Sequence, residues 1–208
     1  MNFLAHFYLS DDSPASLAGS LMGDFVKGRL DQRYPPDIER AIFVHRRIDS
    51  FTDRDVTVRE SRRRIDPAFR LLRGILIDVF YDHYLARHWT RFSNEPLEMF
   101  TARVYAALAE HSDHFPAPLD WMAPRMAAED WLSSYQDVEG IADVLARMSR
   151  RLSRRNPLGR GIDELKRHYV AFESDFFDFL PRLESYVSRL EGERRSHSVE
   201  GSERPIRQ

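Results

Sequence analysis

Residues Leu71–Trp89 read LLRGILIDVFYDHYLARHW, and this stretch decides the fold. Its apolar residues, Leu71, Leu72, Ile75, Leu76, Ile77, Val79, Phe80, Tyr84 and Leu85, run almost all the way round a helix. A helix that is apolar on nearly every side is a buried central helix. Yet Asp78, Asp82 and His83 lie in its middle. An unpaired carboxylate costs several kcal/mol to bury, so such groups are paired, protonated or bound to a metal. Asp78 and Asp82 are four residues apart and fall on one helical face, about 6 Å apart at Cβ.

Outward from this helix the chain reads as helices throughout. Met1 to Leu9 is a short apolar helix or turn interrupted by His6. Ser13 and Pro14 form a helix start, a capping hydroxyl followed by a proline suited to the first turn. The segment ASLAGSLMGDFVKG follows, rich in small residues (Ala15, Ala18, Gly19, Ser20, Gly23) that allow another helix to approach closely. It carries Asp24, and Gly28 reads as its stop. Pro35-Pro36 opens the helix DIERAIFVHRRIDSFTD, where Ile38, Ala41, Ile42, His45, Ile48, Asp49 and Thr52 share one stripe. Arg46 and Arg47 lie off that stripe. A basic segment with Arg59, Arg62, Arg63 and Arg64 leads to Pro67, which reads as the start of the central helix.

Further helices are predicted near Pro96–Glu110, Leu119–Tyr135, Val138–Leu152 and Ile162–Glu191, separated by Asn, Pro and Gly breaks. Pro124 and Pro181 fall inside two of them and are expected to kink or split them. Tyr169, Phe172, Phe176, Phe177 and Phe179 form an aromatic core stripe. No β-alternation persists, so the expected fold is all-α, one domain over residues 1–191. A polar tail from 192 to 208 reads as disordered.

Composition excludes several functions. There is no cysteine among 208 residues, which removes disulfides, thiolate metal sites and a Cys nucleophile. A net charge of −2 argues against a chain built to coat nucleic acid. No apolar run is long enough to span a membrane, and the N-terminus lacks a signal peptide's basic start. The expected location is therefore the cytoplasm. Lys27 and Lys166 are the only lysines; the arginine bias suits bidentate anion contacts and is equally what a GC-rich genome produces.

The polar residues inside apolar helices are His6, Asp24, His45, Asp49, Asp78, Asp82 and His83, all within the first 83 positions. Histidine with carboxylate suits Mn²⁺, Fe²⁺ or Zn²⁺, whereas all-oxygen sites suit Mg²⁺ and Ca²⁺. The i,i+4 pairs His45/Asp49 and Asp78/Asp82, on helices packed face to face, could supply four ligands, with Asp24 and His6 added from the first segments. Each has a plainer reading. His6 could bond backbone, Asp24 could accept at a helix end, Asp49 could pair with Arg46 or Arg47, and Asp78 with Arg73 or Arg46.

MNFLAH, GSLMGDFVKG, HRRIDSFTD and DVFYDHYLARHW, in this order and spacing, together resemble the acyl carrier protein phosphodiesterase family. That family is a divergent helical branch of the HD phosphatase/phosphodiesterase superfamily, and it removes the 4′-phosphopantetheine arm from holo acyl carrier protein. The resemblance implies a divalent metal, typically Mn²⁺, with Mg²⁺, Fe²⁺ or Co²⁺ as substitutes, and the carrier protein as substrate. It implies no nucleic-acid or membrane partner. One departure stands out: the superfamily's His-Asp doublet is reversed here as Asp82-His83.

On this resemblance Asp24, His45, Asp49, Asp78 and Asp82 are the expected metal ligands. His6 or His83 is the expected acid for the leaving serine oxygen, and Arg46 or Arg47 the expected contact to phosphoryl oxygens. Arg54, Arg59, Arg62, Arg63 and Arg64 are expected to form a docking edge for the acidic carrier protein, or else a solvated helix face. Three other functions compete: an HD-like phosphohydrolase of a small phosphoester, a carboxylate-bridged iron protein and a helical adaptor. The usual Glu-x-x-His pairs of the iron proteins are absent.

Overall fold

The computed structural model describes residues 1–152 and 154–200, the side chains of 193–200 excepted. The described residues contain helices and short 3₁₀ turns but no strand, so the chain is all-α. Residues 201–208 of the expected tail lie outside the described residues, while α10 runs on through Glu200.

The helices are α1 (Phe3–Tyr8), α2 (Pro14–Met22), α3 (Pro36–Arg54), α4 (Val56–Arg64), α5 (Leu72–Arg87), α6 (Leu97–Glu110), α7 (Ala117–Ala128), α8 (Val138–Arg151), α9 (Ile162–Arg167) and α10 (Tyr169–Glu200). Helix α5 is the central rod. Leu76, Ile77, Val79, Phe80, Tyr81, Tyr84 and Leu85 are all fully buried, beneath α1, α4, α8 and α10. The aromatic stripe of α10 packs on it. Phe172 lies 5.5 Å from Phe80 and Phe176 5.7 Å from Tyr81 between ring centroids, spacings at which tilted and edge-on aromatic pairs attract.

Helix α5 begins later than expected. Pro67 opens a 3₁₀ turn, Pro67–Phe69, capped by the Asp66 carboxylate accepting from Ala68 N. Arg70 then takes φ +49°, a conformation that costs any residue with a Cβ energy and breaks the helical run. Leu71 stands at the helix start with 96% of its surface exposed.

Two other boundaries move. Helix α7 ends at Ala128 rather than Tyr135, because Asp130 adopts φ +42° and Trp131 N bonds back to Met126 O. The predicted last helix divides at His168 into α9 and α10. Pro124 and Pro181, expected to kink or split their helices, do not split them: each lies within one continuous helical segment. Among the described residues, no helix is long and apolar enough to cross a membrane.

Candidate metal centre

The site is built where α1, α2 and α3 meet. Ser13 caps α2 through Ser16 N, and α2 lies against α3 along its small residues. Gly23, just past the end of α2, passes directly over the His45 side chain. A Cβ there would stand 2.3 Å from His45 Cγ, so only glycine lets the His45 ring occupy its place. Helix α1 is held across the top by two anchors. Leu4 N and Ala5 N donate to the Asp82 carboxylate at 2.7 and 3.3 Å, and Ser20 Oγ donates to His6 O at 3.1 Å. These contacts stack the His6 ring on the His45 ring, 3.8 Å between centroids and 16° from parallel.

Two carboxylates bracket the stacked rings. His45 Nε2 is 3.4 Å from Asp24 Oδ1 and 3.3 Å from Asp49 Oδ2. His6 Nε2 is 3.1 Å from Asp49 Oδ1. The imidazoles form the floor, 3% and 2% exposed, while the Asp24 and Asp49 side chains, 45% and 42% exposed, form an open rim. Burial opposes charge on both rings. At His45 the flanking Asp24 and Asp49 outweigh it and hold the pKa above the ordinary value. At His6 burial wins, reinforced by His45, and the pKa is held down. Burial would raise the Asp49 and Asp24 carboxyls, but their histidine contacts prevail and hold them low.

The donor set fits a divalent cation. Ligand atoms of His6, His45 and Asp49 all lie within 4.8 Å of one another. His6 Nδ1, His45 Nδ1 and His45 Nε2 are buried without a hydrogen bond, and native proteins rarely leave such atoms unsatisfied. Two imidazoles with two or more carboxylates are the ligand chemistry of Mn²⁺, Fe²⁺ or Zn²⁺.

Asp78 reaches the edge of this group. Its Oδ1 is 3.1 Å from the Met1 α-amino nitrogen, which is itself 3.9 Å from Asp49 Oδ1, and 4.0 Å from Arg62 Nη2. Asp24 and Asp78 share a cavity of about 310 Å³ with apolar walls from Phe3, Ile75 and Leu158, and Arg151 also lines it. The Arg151 guanidinium lies over Trp121 and Trp131, 5.0 and 5.2 Å from their centroids. It has no carboxylate partner among the described residues.

Other expected site residues lie apart. Asp82 shares a helix face with Asp78, but α1 crosses between it and the rings, so Asp82 serves as the cap of α1. Burial pushes its carboxyl up to about 7, against the opposing effect of the Met1 ammonium and the two backbone donors. His83 faces elsewhere, between Tyr135 O and Tyr169 OH at 2.8 Å each. Arg46 donates to Gly28 O and Val26 O at 2.8 and 2.6 Å, and Arg47 to Tyr186 OH at 2.9 Å. Both therefore brace backbone and aromatic neighbours rather than the cluster.

The expected docking edge is engaged at three of its five arginines. Arg62 pairs with Asp53 at 2.7 Å, Arg63 with Glu60, and Arg64 with Asp175 at 3.1 Å. Arg59 Nε donates to Asp53 O at 3.4 Å, and Arg54 is exposed. Sequence reading missed Arg151, whose place on an amphipathic helix marks it only as a solvated residue. It noted Gly23 as small without seeing its contact with His45.

The family model described as Acyl carrier protein phosphodiesterase matches residues 1–183. The acyl carrier protein phosphodiesterase of Salmonella dublin is 38% identical over 190 residues, 91% of this chain and 98% of that protein. Those of Salmonella agona and Salmonella newport are 37% identical over the same shares. No solved structure matches the chain.

Proposed function

The chain belongs to the acyl carrier protein phosphodiesterase family, and from that premise we propose that it hydrolyses the phosphodiester joining 4′-phosphopantetheine to a carrier-protein serine. The reaction adds water to phosphorus and breaks the bond from phosphorus to the serine oxygen, which takes up a proton. The products are apo carrier protein and 4′-phosphopantetheine. The observation that carries this reading is the stacked His6–His45 pair between Asp24 and Asp49, with buried ring nitrogens lacking hydrogen bonds.

His6, His45, Asp49 and Asp24 are the residues that would hold the divalent cation, Mn²⁺ being the proposed ion. The cation, when bound, neutralises charge on the phosphoryl oxygens and activates water near neutral pH. Asp78 sits beside the cluster, where it orients the groups entering from the cavity. Arg151 takes the role of steadying the non-bridging oxygens, because its guanidinium is free of carboxylates and Trp121 and Trp131 hold it in place. The apolar walls of Phe3, Ile75 and Leu158 suit the branched aliphatic end of the pantetheine arm next to its phosphate. His83 and Asp82 act on the fold rather than on the substrate.

The open rim favours a protein-borne phosphodiester over a small phosphoester, which a closed pocket would enclose. Kinship with the HD superfamily and action in the cytoplasm belong to the same proposal. Incubating the purified protein with holo carrier protein and Mn²⁺, followed by mass spectrometry, tests it. Loss of the 4′-phosphopantetheine mass is expected. An unchanged carrier mass with folded enzyme and each of several divalent metals would sink the proposal.

A further inference from the structure

A second feature lies on the α5 side of the cluster. The turn before α5 and the chain leaving α8 enclose a groove of about 780 Å³, lined by Arg70, Leu71, Arg73 and Arg155 among others. A neighbouring depression shares Arg155 and adds Arg160. None of these four arginines has a carboxylate partner among the described residues. Arg73 Nε makes one bond, to Arg70 O at 3.1 Å. In a chain of net charge −2, such a concentration of unneutralised positive charge is a local field, not a reflection of overall composition. Among its lining residues stands Leu71, a large apolar side chain almost entirely in water.

Resting on the function proposed above, we propose that this groove, and not the Arg54–Arg64 segment, is where the acidic carrier protein docks. Arg62, Arg63 and Arg64 are paired with Asp53, Glu60 and Asp175. Among the described residues this leaves Arg54 and Arg59 of that segment without a carboxylate, whereas all four of Arg70, Arg73, Arg155 and Arg160 lack one. An exposed leucine ringed by arginines matches a partner that offers an apolar patch among carboxylates. Apolar contact there supplies affinity, and the charges steer and orient the encounter.

The groove and the site also border the same helix, α5. Leu71, Ile75 and Asp78 follow one another along a single face of α5 at helical spacing. Ile75 and Asp78 already line the cavity shared with Asp24. Seven residues of helix span about 10 Å, so a carrier seated on Leu71 keeps its modified serine within reach of the cluster. A nucleic acid would use the same charges but would gain nothing from Leu71.

Binding of apo carrier protein, the reaction product, reads docking without turnover. Titration by calorimetry at low salt and at about 0.3 M salt should show affinity falling as salt rises. The variant Arg70→Glu/Arg73→Glu/Arg155→Glu should bind apo carrier about tenfold more weakly or worse. Its KM for holo carrier should rise by a similar factor, with Mn²⁺ affinity and turnover of bis(p-nitrophenyl) phosphate unchanged. Leu71→Ser, at a site too exposed to threaten folding, should weaken binding in the same assay, and Arg59→Glu/Arg63→Glu should not. Wild-type affinity in the triple variant and in Leu71→Ser overturns the proposal, as does preference for a short DNA duplex over apo carrier. Apo carrier binding that depends on these arginines, without release of the arm from holo carrier, would leave docking standing and remove only the proposed reaction.

Discussion

Gly23→Ala is the sharpest test of how the centre is assembled. The added Cβ would lie 2.3 Å from His45 Cγ, 2.4 Å from Cδ2 and 2.7 Å from Cβ. Ordinary contact begins at 3.4 Å, so the imidazole must retreat by about 1 Å or α2 must lift from α3. Either movement opens the stacked pair and lengthens the 3.3 and 3.4 Å approaches to Asp49 and Asp24. Overpacking of this kind costs about 1–3 kcal/mol, a fall in melting temperature of about 2–12 °C for a chain this size. A misplacement of about 1 Å in a catalytic group costs about a hundredfold in rate.

The expected result is a folded protein with at least tenfold weaker Mn²⁺ binding by calorimetry and about a hundredfold lower kcat/KM. Gly74→Ala is the control. It lies on α5 near the same site, but its new Cβ meets nothing closer than 3.8 Å, so binding and turnover should stay at the wild-type level. A folded Gly23→Ala protein with wild-type metal affinity and turnover would show that the α2–α3 contact does not set His45, and the reasoning would fail.

Other substitutions probe separate parts of the molecule. Asp49→Asn, which removes the carboxylate touching both histidines, should lower kcat at least about a hundredfold and abolish Mn²⁺-dependent stabilisation in a melting assay; retained stabilisation would remove Asp49 from the ligand set. Asp82→Asn tests the buried cap of α1. Because the Asp82 pKa is raised, its stabilisation is full below the ordinary 3.8 and is lost as pH rises through about 7. Unfolding free energy measured across that window should therefore decline less steeply in the variant than in the wild type, and parallel curves would contradict the shift. Asp175→Ala breaks the bonds to Ser61 at 2.6 Å and Arg64 at 3.1 Å. It should destabilise the protein by about 2–3 kcal/mol in denaturant titration, with metal affinity unaffected, because this network lies on the α4–α10 side.

Much of the fold was legible because helical burial follows from local periodicity. The apolar rod, read at Leu71–Trp89 and formed over Leu72–Arg87, the aromatic stripe of α10 and the Ser13-Pro14 start each rest on interactions within a few turns of chain. Two boundaries that moved have a different cause. Arg70 and Asp130 hold positive φ values that periodicity does not announce, so one delays the start of α5 and the other ends α7.

The site divides along the same line. By itself the sequence determined that polar residues occur inside apolar helices, that His45 and Asp49 share a face, and that four blocks in order resemble one family. Those properties depend on spacing and on residue identity. Tertiary structure alone decided which polar residues meet. Asp78 and Asp82 share a face of α5, yet α1 crosses that face, so one carboxylate reaches the edge of the cluster and the other becomes the cap of α1. His83, its immediate neighbour, points about a quarter-turn away on the helix and meets Tyr135 and Tyr169 instead. Spacing along a helix fixes direction relative to that helix only; what stands in that direction depends on how the other helices pack.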